Sequence, residues 1–87
     1  MITDEIHQLL TDILTRDQPL ELLRVIQEND NHIKIVVVSL VFNGMSLVKK
    51  QQMIYQPLLN HFAKQQIHAL TINTFTPQEW QHQRRLA

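Results

Sequence analysis

A single glycine separates a strand-like stretch from a helix-like stretch near the middle of this chain of 87 residues. Gly44, with Asn43 beside it, marks the place where the backbone most needs a positive φ or a tight turn. The run before it, Ile33–Leu40, is the richest in β-branched residues and predicts a strand. Ser46 is suited to cap a following helix, because its hydroxyl accepts an orphan backbone N–H. With a further strand from Ile67, these pieces predict a βαβ unit with parallel strands and a right-handed crossover.

The first third of the chain predicts a helix and a strand that pairs with the central one. An apolar stripe with helical spacing indicates an amphipathic first helix: Ile6, Leu9, Leu10, Ile13 and Leu14. Pro19 ends the helical region, because the residue before a proline resists the helical conformation. Leu20–Gln27 then reads as a strand, and the polar cluster Glu28–Asn31 turns the chain back as a hairpin. The second strand, from about His32 to Leu40, is apolar at nearly every position, which suits a central strand.

The helix that starts at Ser46 is predicted to bury one side and expose another. The apolar set expected on the buried side is Leu47, Val48, Tyr55, Leu58, Leu59 and Phe62. The polar set expected to stay exposed is Lys49, Lys50, Gln51 and Gln52. Pro57 cannot donate a backbone hydrogen bond, so we expect a kink or a break into two helices there.

The C-terminal part predicts a third strand over Ile67–Phe75 and a short last helix. Thr76 is placed as N-cap, Pro77 as the first helical residue, and Glu79 to close a capping box. Trp80 is expected to anchor this helix against the sheet. The predicted order is αββα(α)βα, an α/β (α+β) fold with helices packed on a three-stranded mixed sheet. We interpret residues 1–87 as one small domain.

The composition excludes several classes of site and location. The chain has no cysteine, so it has no disulfide, thiol nucleophile or thiolate ligand of its own. A metal must be held by nitrogen or oxygen, or share its site with a partner's sulfur. No apolar run approaches the roughly eighteen residues of a membrane span, and residues 1–5 do not resemble a signal peptide. A cytoplasmic protein without a membrane partner is the prediction.

The net charge of zero conceals an asymmetry. Residues 1–30 carry seven acidic residues against two arginines, whereas residues 31–87 carry six basic residues against one glutamate. Such halves either face each other in the fold or leave a basic face for an acidic partner. We favour the first, because surface charges usually only solvate a protein.

The predicted topology brings two histidines together. If the second and third strands are parallel neighbours, their N-terminal ends lie at one edge of the sheet, where His32 and His68 open them. The turn Glu28–Asn31 lies at that edge too. Neutral imidazole is a common metal ligand. From the residues alone, however, a structural role for His68 at the strand end is favoured over a ligand role.

Four ordered segments resemble the BolA family, and most of all its short bacterial branch. They are Phe42-Asn43-Gly44-Met45-Ser46, the lysine-bearing helix up to Tyr55, Ile67-His68-Ala69-Leu70 and Thr76-Pro77-Gln78-Glu79-Trp80. The resemblance covers residues 4–85 and implies a class II KH-like fold without enzymatic activity.

The resemblance also implies a cofactor and a partner. BolA-like proteins pair with a monothiol glutaredoxin to hold a shared [2Fe–2S] cluster in iron–sulfur trafficking or iron sensing. The partner and its glutathione supply thiolates, and the histidine before Ala-Leu, here His68, is a ligand. Relatives place a second ligand in the first hairpin loop. His32 is the best candidate here, with Asp30 and Asn29 as weaker oxygen donors. Alone, the chain is expected to bind no cluster and to be a monomer or weak homodimer.

Two alternatives stay open. One is a KH-like nucleic-acid-binding regulator using a basic helix face and the C-terminal arginines: Lys49, Lys50, Arg84 and Arg85. The chain cannot form the Gly-x-x-Gly loop of such folds, so only weak binding to nucleic acid is expected. The other is a plain interaction module in which His68 is structural. Catalysis has the least support, because Ser39 and Ser46 lack an identifiable base. His61 and His82 are interpreted as surface residues.

Overall fold

The computed structural model describes residues 2–30, 32–64 and 67–86, with main chain alone at 85 and 86. Seven helices and strands follow in order: α1 Ile2–Leu14, β1 Leu20–Asn29, β2 His32–Ser39, α2 Leu47–Tyr55, α3 Leu59–Ala63, β3 Ala69–Phe75 and α4 Pro77–Leu86. Short 3-10 turns span Leu40–Phe42 and Gln56–Leu58. The second turn contains Pro57 and separates α2 from α3, so the predicted break is confirmed. The order αββα(α)βα is confirmed with it.

The three strands form one sheet in the order β1-β2-β3. β1 pairs antiparallel with β2, and β2 pairs parallel with β3. In the parallel pair, His32 lies opposite Ala69 and Val38 lies opposite Phe75. The predicted hairpin and βαβ unit are therefore confirmed, and the fold is a small α+β domain with a mixed sheet.

The inner face of the sheet carries the main core. Ile33, Ile35 and Val37 alternate along β2 and are all buried, because successive strand residues point to opposite faces. They cluster with the buried stripe of α1, Ile6, Leu10 and Leu14, and with Leu23, Phe42, Ile54, Leu58 and Ile67. Burial of this apolar surface is the main favourable contribution to folding.

The outer face of the sheet is covered at one end only. Phe75 at the end of β3 packs against Trp80 of α4, with ring centroids 5.3 Å apart. Val38, opposite Phe75 in the register, is fully buried. Arg24 and Ile26, further along β1, remain exposed. Trp80 is partly buried, so its predicted role as the anchor of α4 is confirmed.

The predicted turn and both predicted helix caps are confirmed. Gly44 has φ +76°, the left-handed region that side chains other than glycine rarely adopt. The Ser46 hydroxyl accepts from the Lys49 amide at 3.2 Å. At α4, the Glu79 amide donates to the Thr76 hydroxyl at 3.1 Å, and the Thr76 amide donates to Glu79 Oε1 at 2.8 Å.

The predicted buried side of α2 is wrong at several positions. Leu47 and Val48 are 67% and 64% exposed, and Tyr55 and Leu59 are also exposed. The side that packs inward runs at intervals of four residues and comprises Lys50, Ile54 and Leu58, of which only Leu58 was predicted to be buried. The α2 helix begins only at Leu47. Its rotation is set by this interior stripe, which leaves the first-turn apolar residues pointing away from the sheet.

Two residues of the predicted polar face are not exposed. Lys50 is only 8% exposed, and its ammonium donates to Glu79 Oε1 at 3.0 Å. Gln51 is partly buried and donates from Nε2 to the Ile72 carbonyl at 2.9 Å. That carbonyl belongs to β3, an edge strand whose outer groups have no neighbouring strand. Lys49 and Gln52 are exposed as predicted.

The surface assignment of His61 is also wrong. Both of its ring nitrogens are buried and have no hydrogen-bond partner within the described part of the chain, although the residue as a whole is partly accessible. His82 is exposed, as predicted. Across residues 2–30, 32–64 and 67–86, no helix combines the length and apolar character needed to cross a membrane.

Candidate functional site

The two candidate histidines lie at one edge of the sheet, which we call the histidine edge. β2 begins at His32, which lies opposite Ala69, the first residue of β3. His68 immediately precedes Ala69 in a bend, so β3 starts later than the predicted Ile67. Parallel pairing is the cause of this convergence, because it aligns the N-terminal ends of both strands.

The two imidazoles differ in their surroundings. His68 is exposed, whereas His32 is partly buried. His32 Nε2 lies 2.6 Å from Thr71 Oγ1, within hydrogen-bonding distance. Thr71 lies two residues beyond Ala69, so it shares the sheet face of Ala69 and of His32. One ring nitrogen of His32 is therefore engaged by the protein.

The first hairpin supplies the rest of the histidine edge. Asn29 lies opposite His32 in the antiparallel register, and Asp30 follows in the turn; both are exposed. These are the weaker oxygen donors predicted from the sequence, and the fold brings them beside the start of β2. Asn31, the last residue of the predicted turn, lies outside the described residues.

The donor set at this edge is incomplete for a metal held by one chain. Within residues 2–30, 32–64 and 67–86, no group of three or more histidine, cysteine or acidic residues is arranged to hold a metal ion. Two imidazoles can replace two thiolates on one iron of a [2Fe–2S] cluster. The histidine edge offers two imidazoles of this kind, His32 and His68.

Cations lie on the outer sheet face beside the histidine edge. Lys34 of β2 lies opposite Thr71 in the pairing with β3 and opposite Ile26 in the pairing with β1. Arg24 lies two residues before Ile26 and is exposed. Among the described residues, neither cation has a carboxylate within ion-pairing distance. A shallow groove of about 400 Å³ is lined by Arg24, Ile26 and Lys34 together with Trp80 of α4. The groove therefore has two basic residues, Arg24 and Lys34, in its lining.

The residues predicted for nucleic-acid binding are not equivalent in the structure. Lys49 and Arg84 are exposed. Lys50 is buried, and its charge is paired with Glu79 of α4. The side chain of Arg85 lies outside the described part of the chain. The expectation of two adjacent exposed lysines on α2 is therefore wrong, because α4 packs over the second one and supplies a carboxylate.

One carboxylate oxygen of Glu79 links the N-terminal cap of α4 to Lys50 of α2. Its Oε1 accepts from the Thr76 amide and from the Lys50 ammonium. The pKa of the Glu79 carboxyl is lowered from its ordinary value, first by the Thr76 backbone N–H and then by the Lys50 hydrogen bond, because both favour the charged form. The partnership with Lys50 was not predicted. Glu79 is the only acidic residue after residue 30, and this could have indicated it as the partner of a lysine in that part of the chain.

Thr71 is the other residue that sequence reasoning missed. Strand alternation could have found it, because positions 69 and 71 share one face and Ala69 is the neighbour of His32. That inference requires the register between β2 and β3, and this register is a property of the assembled sheet.

Comparison with known proteins agrees with this architecture. A family model described as BolA-like protein matches residues 16–79. The acid stress protein IbaG of Escherichia coli strain K12 is 45% identical over 56 residues, covering 64% of this chain and 67% of that protein. The DNA-binding transcriptional regulator BolA of Vibrio cholerae is 40% identical over 90 residues, covering 93% and 80% respectively.

A solved structure shows the same fold. The Bol-like protein of Babesia bovis aligns over 95% of this chain and 93% of its own, with a TM-score of 0.77 and 23% identity. At that identity the likeness concerns the fold alone. The family model covers most of the chain, and its match includes the central strand, the glycine turn, both candidate histidines and the capping box. This chain therefore belongs to the BolA-like protein family.

Proposed function

We propose that this protein is a non-enzymatic partner that contributes imidazole to a [2Fe–2S] cluster held jointly with a monothiol glutaredoxin and its glutathione. The complex would serve iron–sulfur trafficking or iron sensing. The observation that carries the proposal is the convergence of His32 and His68 at one edge of the sheet, where the described residues include no group of three or more histidine, cysteine or acidic side chains that could hold a metal ion. A chain without cysteine requires sulfur from elsewhere.

His68 is the first ligand in this proposal. Its side chain is exposed in a bend at the end of the sheet, so a partner reaches it without rearranging the core. His32 is the second ligand, one strand away. The cluster, when bound, supplies the electron-transfer and iron-donating chemistry. The chain's own residues supply neutral nitrogen donors and a surface that holds the partner.

The experiment titrates the protein into the cluster-bridged homodimer of the glutaredoxin and follows visible absorption and circular dichroism. We expect His68→Ala to fold normally and to abolish the bands of the joint complex. His32→Ala is expected to reduce them. His82→Ala is the matched control, because His82 is an exposed histidine on α4. If His68→Ala gives the wild-type spectrum, His68 is structural and this proposal is wrong.

Acid provides a second measurement on the same complex. Imidazole donates to iron only when it is deprotonated at the donor nitrogen, so metal binding of this kind weakens as pH falls. We expect the joint complex to release the protein in acid before either component unfolds. Loss of the cluster bands at the same pH as loss of far-ultraviolet circular dichroism would contradict this.

Nucleic-acid binding is a second candidate function, favoured by the name of the Vibrio cholerae relative and by the exposed Lys49 and Arg84. Because Lys50 is paired with Glu79, it is not available to phosphate, and we expect weak binding that depends little on sequence. Such binding weakens steeply as salt rises, since phosphate contacts release counterions. Fluorescence anisotropy with a labelled duplex at two salt concentrations tests this. A tight, sequence-selective complex at physiological salt would rank this function above the first.

A further inference from the structure

The hydrogen bond between His32 and Thr71 determines which nitrogen of this imidazole is available. Nε2 of His32 lies 2.6 Å from the Thr71 hydroxyl, whereas no hydrogen bond is found for Nδ1 among the described residues. The contact spans 39 positions of sequence and joins two neighbouring strands. It is partly buried, so water competes for it less than at the surface.

Two arrangements of protons satisfy this contact. In one, Nε2–H donates to the Thr71 oxygen, and Nδ1 keeps a free lone pair. In the other, the Thr71 hydroxyl donates to Nε2, and Nδ1 carries the proton. Only the first leaves a nitrogen that can bind a metal while the contact is intact. Metal-binding histidines generally donate their other ring N–H in this way, which orients the ring.

We propose that Thr71 is a positioning residue, which accepts from His32 Nε2–H and presents Nδ1 as the iron-binding nitrogen. The iron-binding part rests on the proposed function. Thr71 is well suited to this role because a β-branched residue on a strand has a restricted χ1, so its hydroxyl stays in place. Lys34, opposite Thr71 in the register, places a cation on the same face.

The matched control lies three residues further along β3. Thr74 is also a threonine of this strand, but it lies on the opposite face, and its buried hydroxyl has no hydrogen-bond partner among the residues that the structure describes. Thr71→Val and Thr74→Val therefore make the same chemical change, replacing a hydroxyl with a methyl. Only the first removes a hydrogen bond. Thr71→Ser keeps a hydroxyl at this position and should therefore behave like the wild type.

The first measurement uses the protein alone and is independent of iron. Nitrogen-15 NMR of the imidazole rings reports which nitrogen carries the proton in the neutral form. We expect His32 to be the Nε2–H tautomer in the wild type, in Thr74→Val and in Thr71→Ser, and a mixture of tautomers in Thr71→Val. A wild-type His32 that is protonated at Nδ1 would overturn the proposal.

The second measurement uses the complex with the cluster-bridged glutaredoxin. Removal of a hydrogen bond that orients a metal-binding histidine typically weakens metal binding by about 10- to 100-fold. We expect a loss of this size for Thr71→Val and no loss for Thr74→Val, with both variants folded by far-ultraviolet circular dichroism. Equal affinity of wild type and Thr71→Val would overturn the iron-binding part.

The two failures are distinguishable. If the proposed function is wrong, the wild-type protein itself produces no bands of a joint complex, and the assignment of Nδ1 to iron falls with it. If only the role of Thr71 is wrong, wild type and Thr71→Val produce the same bands with the same affinity. The tautomer measurement decides the hydrogen-bond assignment in either case.

Discussion

The partly buried ion pair between Lys50 of α2 and Glu79 of α4 allows a quantitative prediction about Glu79→Ala. This change removes two interactions made by one carboxylate oxygen: the capping bond from the Thr76 amide and the bond from the Lys50 ammonium. It also leaves Lys50, whose side chain is only 10% exposed, without its carboxylate. We therefore expect a larger loss of stability than a surface substitution causes.

The magnitude follows from the exposure of the two partners. Loss of the capping interaction costs about 1 kcal/mol. Breaking a fully buried ion pair costs roughly 3–5 kcal/mol, because one charge is left uncompensated. The Glu79 side chain is 51% exposed, so water screens the pair and we assign about 1–2 kcal/mol to this part. The free energy of unfolding should fall by about 2–3 kcal/mol, out of roughly 4–13 kcal/mol for a chain of this length.

Companion variants separate the two interactions. Lys50→Met keeps the volume of the buried stem and removes the charge, so its cost should stay below about 1 kcal/mol. Glu79→Gln keeps an oxygen that can close the capping box and should cost less than Glu79→Ala. Urea unfolding followed by fluorescence is a suitable assay, because Trp80 is the only tryptophan and lies in α4. Equal losses for Lys50→Met and Glu79→Ala would refute this reasoning.

The same carboxylate makes stability depend on pH. Its pKa in the folded protein lies below the ordinary value of 4.5, chiefly because of the Thr76 backbone N–H. The stabilisation is therefore fully present above the unfolded pKa and is lost as pH falls through the folded one. Wild type should lose more stability than Glu79→Gln between pH 5 and the acid-unfolded state. Parallel curves for the two proteins would contradict this.

The remaining predictions concern local structure. Gly44→Ala should destabilise the protein by about 1–2 kcal/mol, because the residue has φ +76° although there is free space around a Cβ; an unchanged urea midpoint would contradict this. His61→Leu should leave stability unchanged or raise it by about 1 kcal/mol, since it removes two buried nitrogens that have no partner among the described residues; thermal unfolding tests the sign, and a marked loss of stability would contradict this. Thr76→Ala should cost about 1 kcal/mol through loss of the N-cap, and chemical denaturation that shows no change would argue that α4 is held by Trp80 alone.

Much of the fold could be predicted from interactions between residues close in sequence. The Gly44 turn, the Ser46 cap, the break at Pro57 and the capping box of Thr76 were each predicted and are each present. Backbone restrictions and caps act over about four residues or fewer, so the sequence contains both partners of each interaction side by side. The order of strands followed from the hairpin that joins β1 to β2 and from the parallel pairing of a βαβ unit.

The rotation of α2 could not be predicted in this way. Leu47 and Val48 are apolar but exposed, whereas Lys50 is charged but buried. The pattern of apolar and polar residues predicts the reverse, with the leucine and valine buried and the lysine exposed. A buried lysine is tolerated only because a carboxylate 29 residues later meets its ammonium. The stabilisation from this ion pair depends on how α4 packs, so it cannot be predicted from residues close to Lys50 in sequence.

The same distinction between local and long-range interactions applies to the candidate site. The sequence alone determined that this chain can offer a metal only nitrogen or oxygen ligands, and parallel pairing alone implied that His32 and His68 share an edge. Only the tertiary structure decided that the Thr71 hydroxyl lies within hydrogen-bonding distance of His32 Nε2, and that Lys34 lies opposite Thr71 on the same face. Strand register is set by the side chains that pack along both strands together. A hydrogen bond across 39 positions therefore exists only once the whole sheet has assembled.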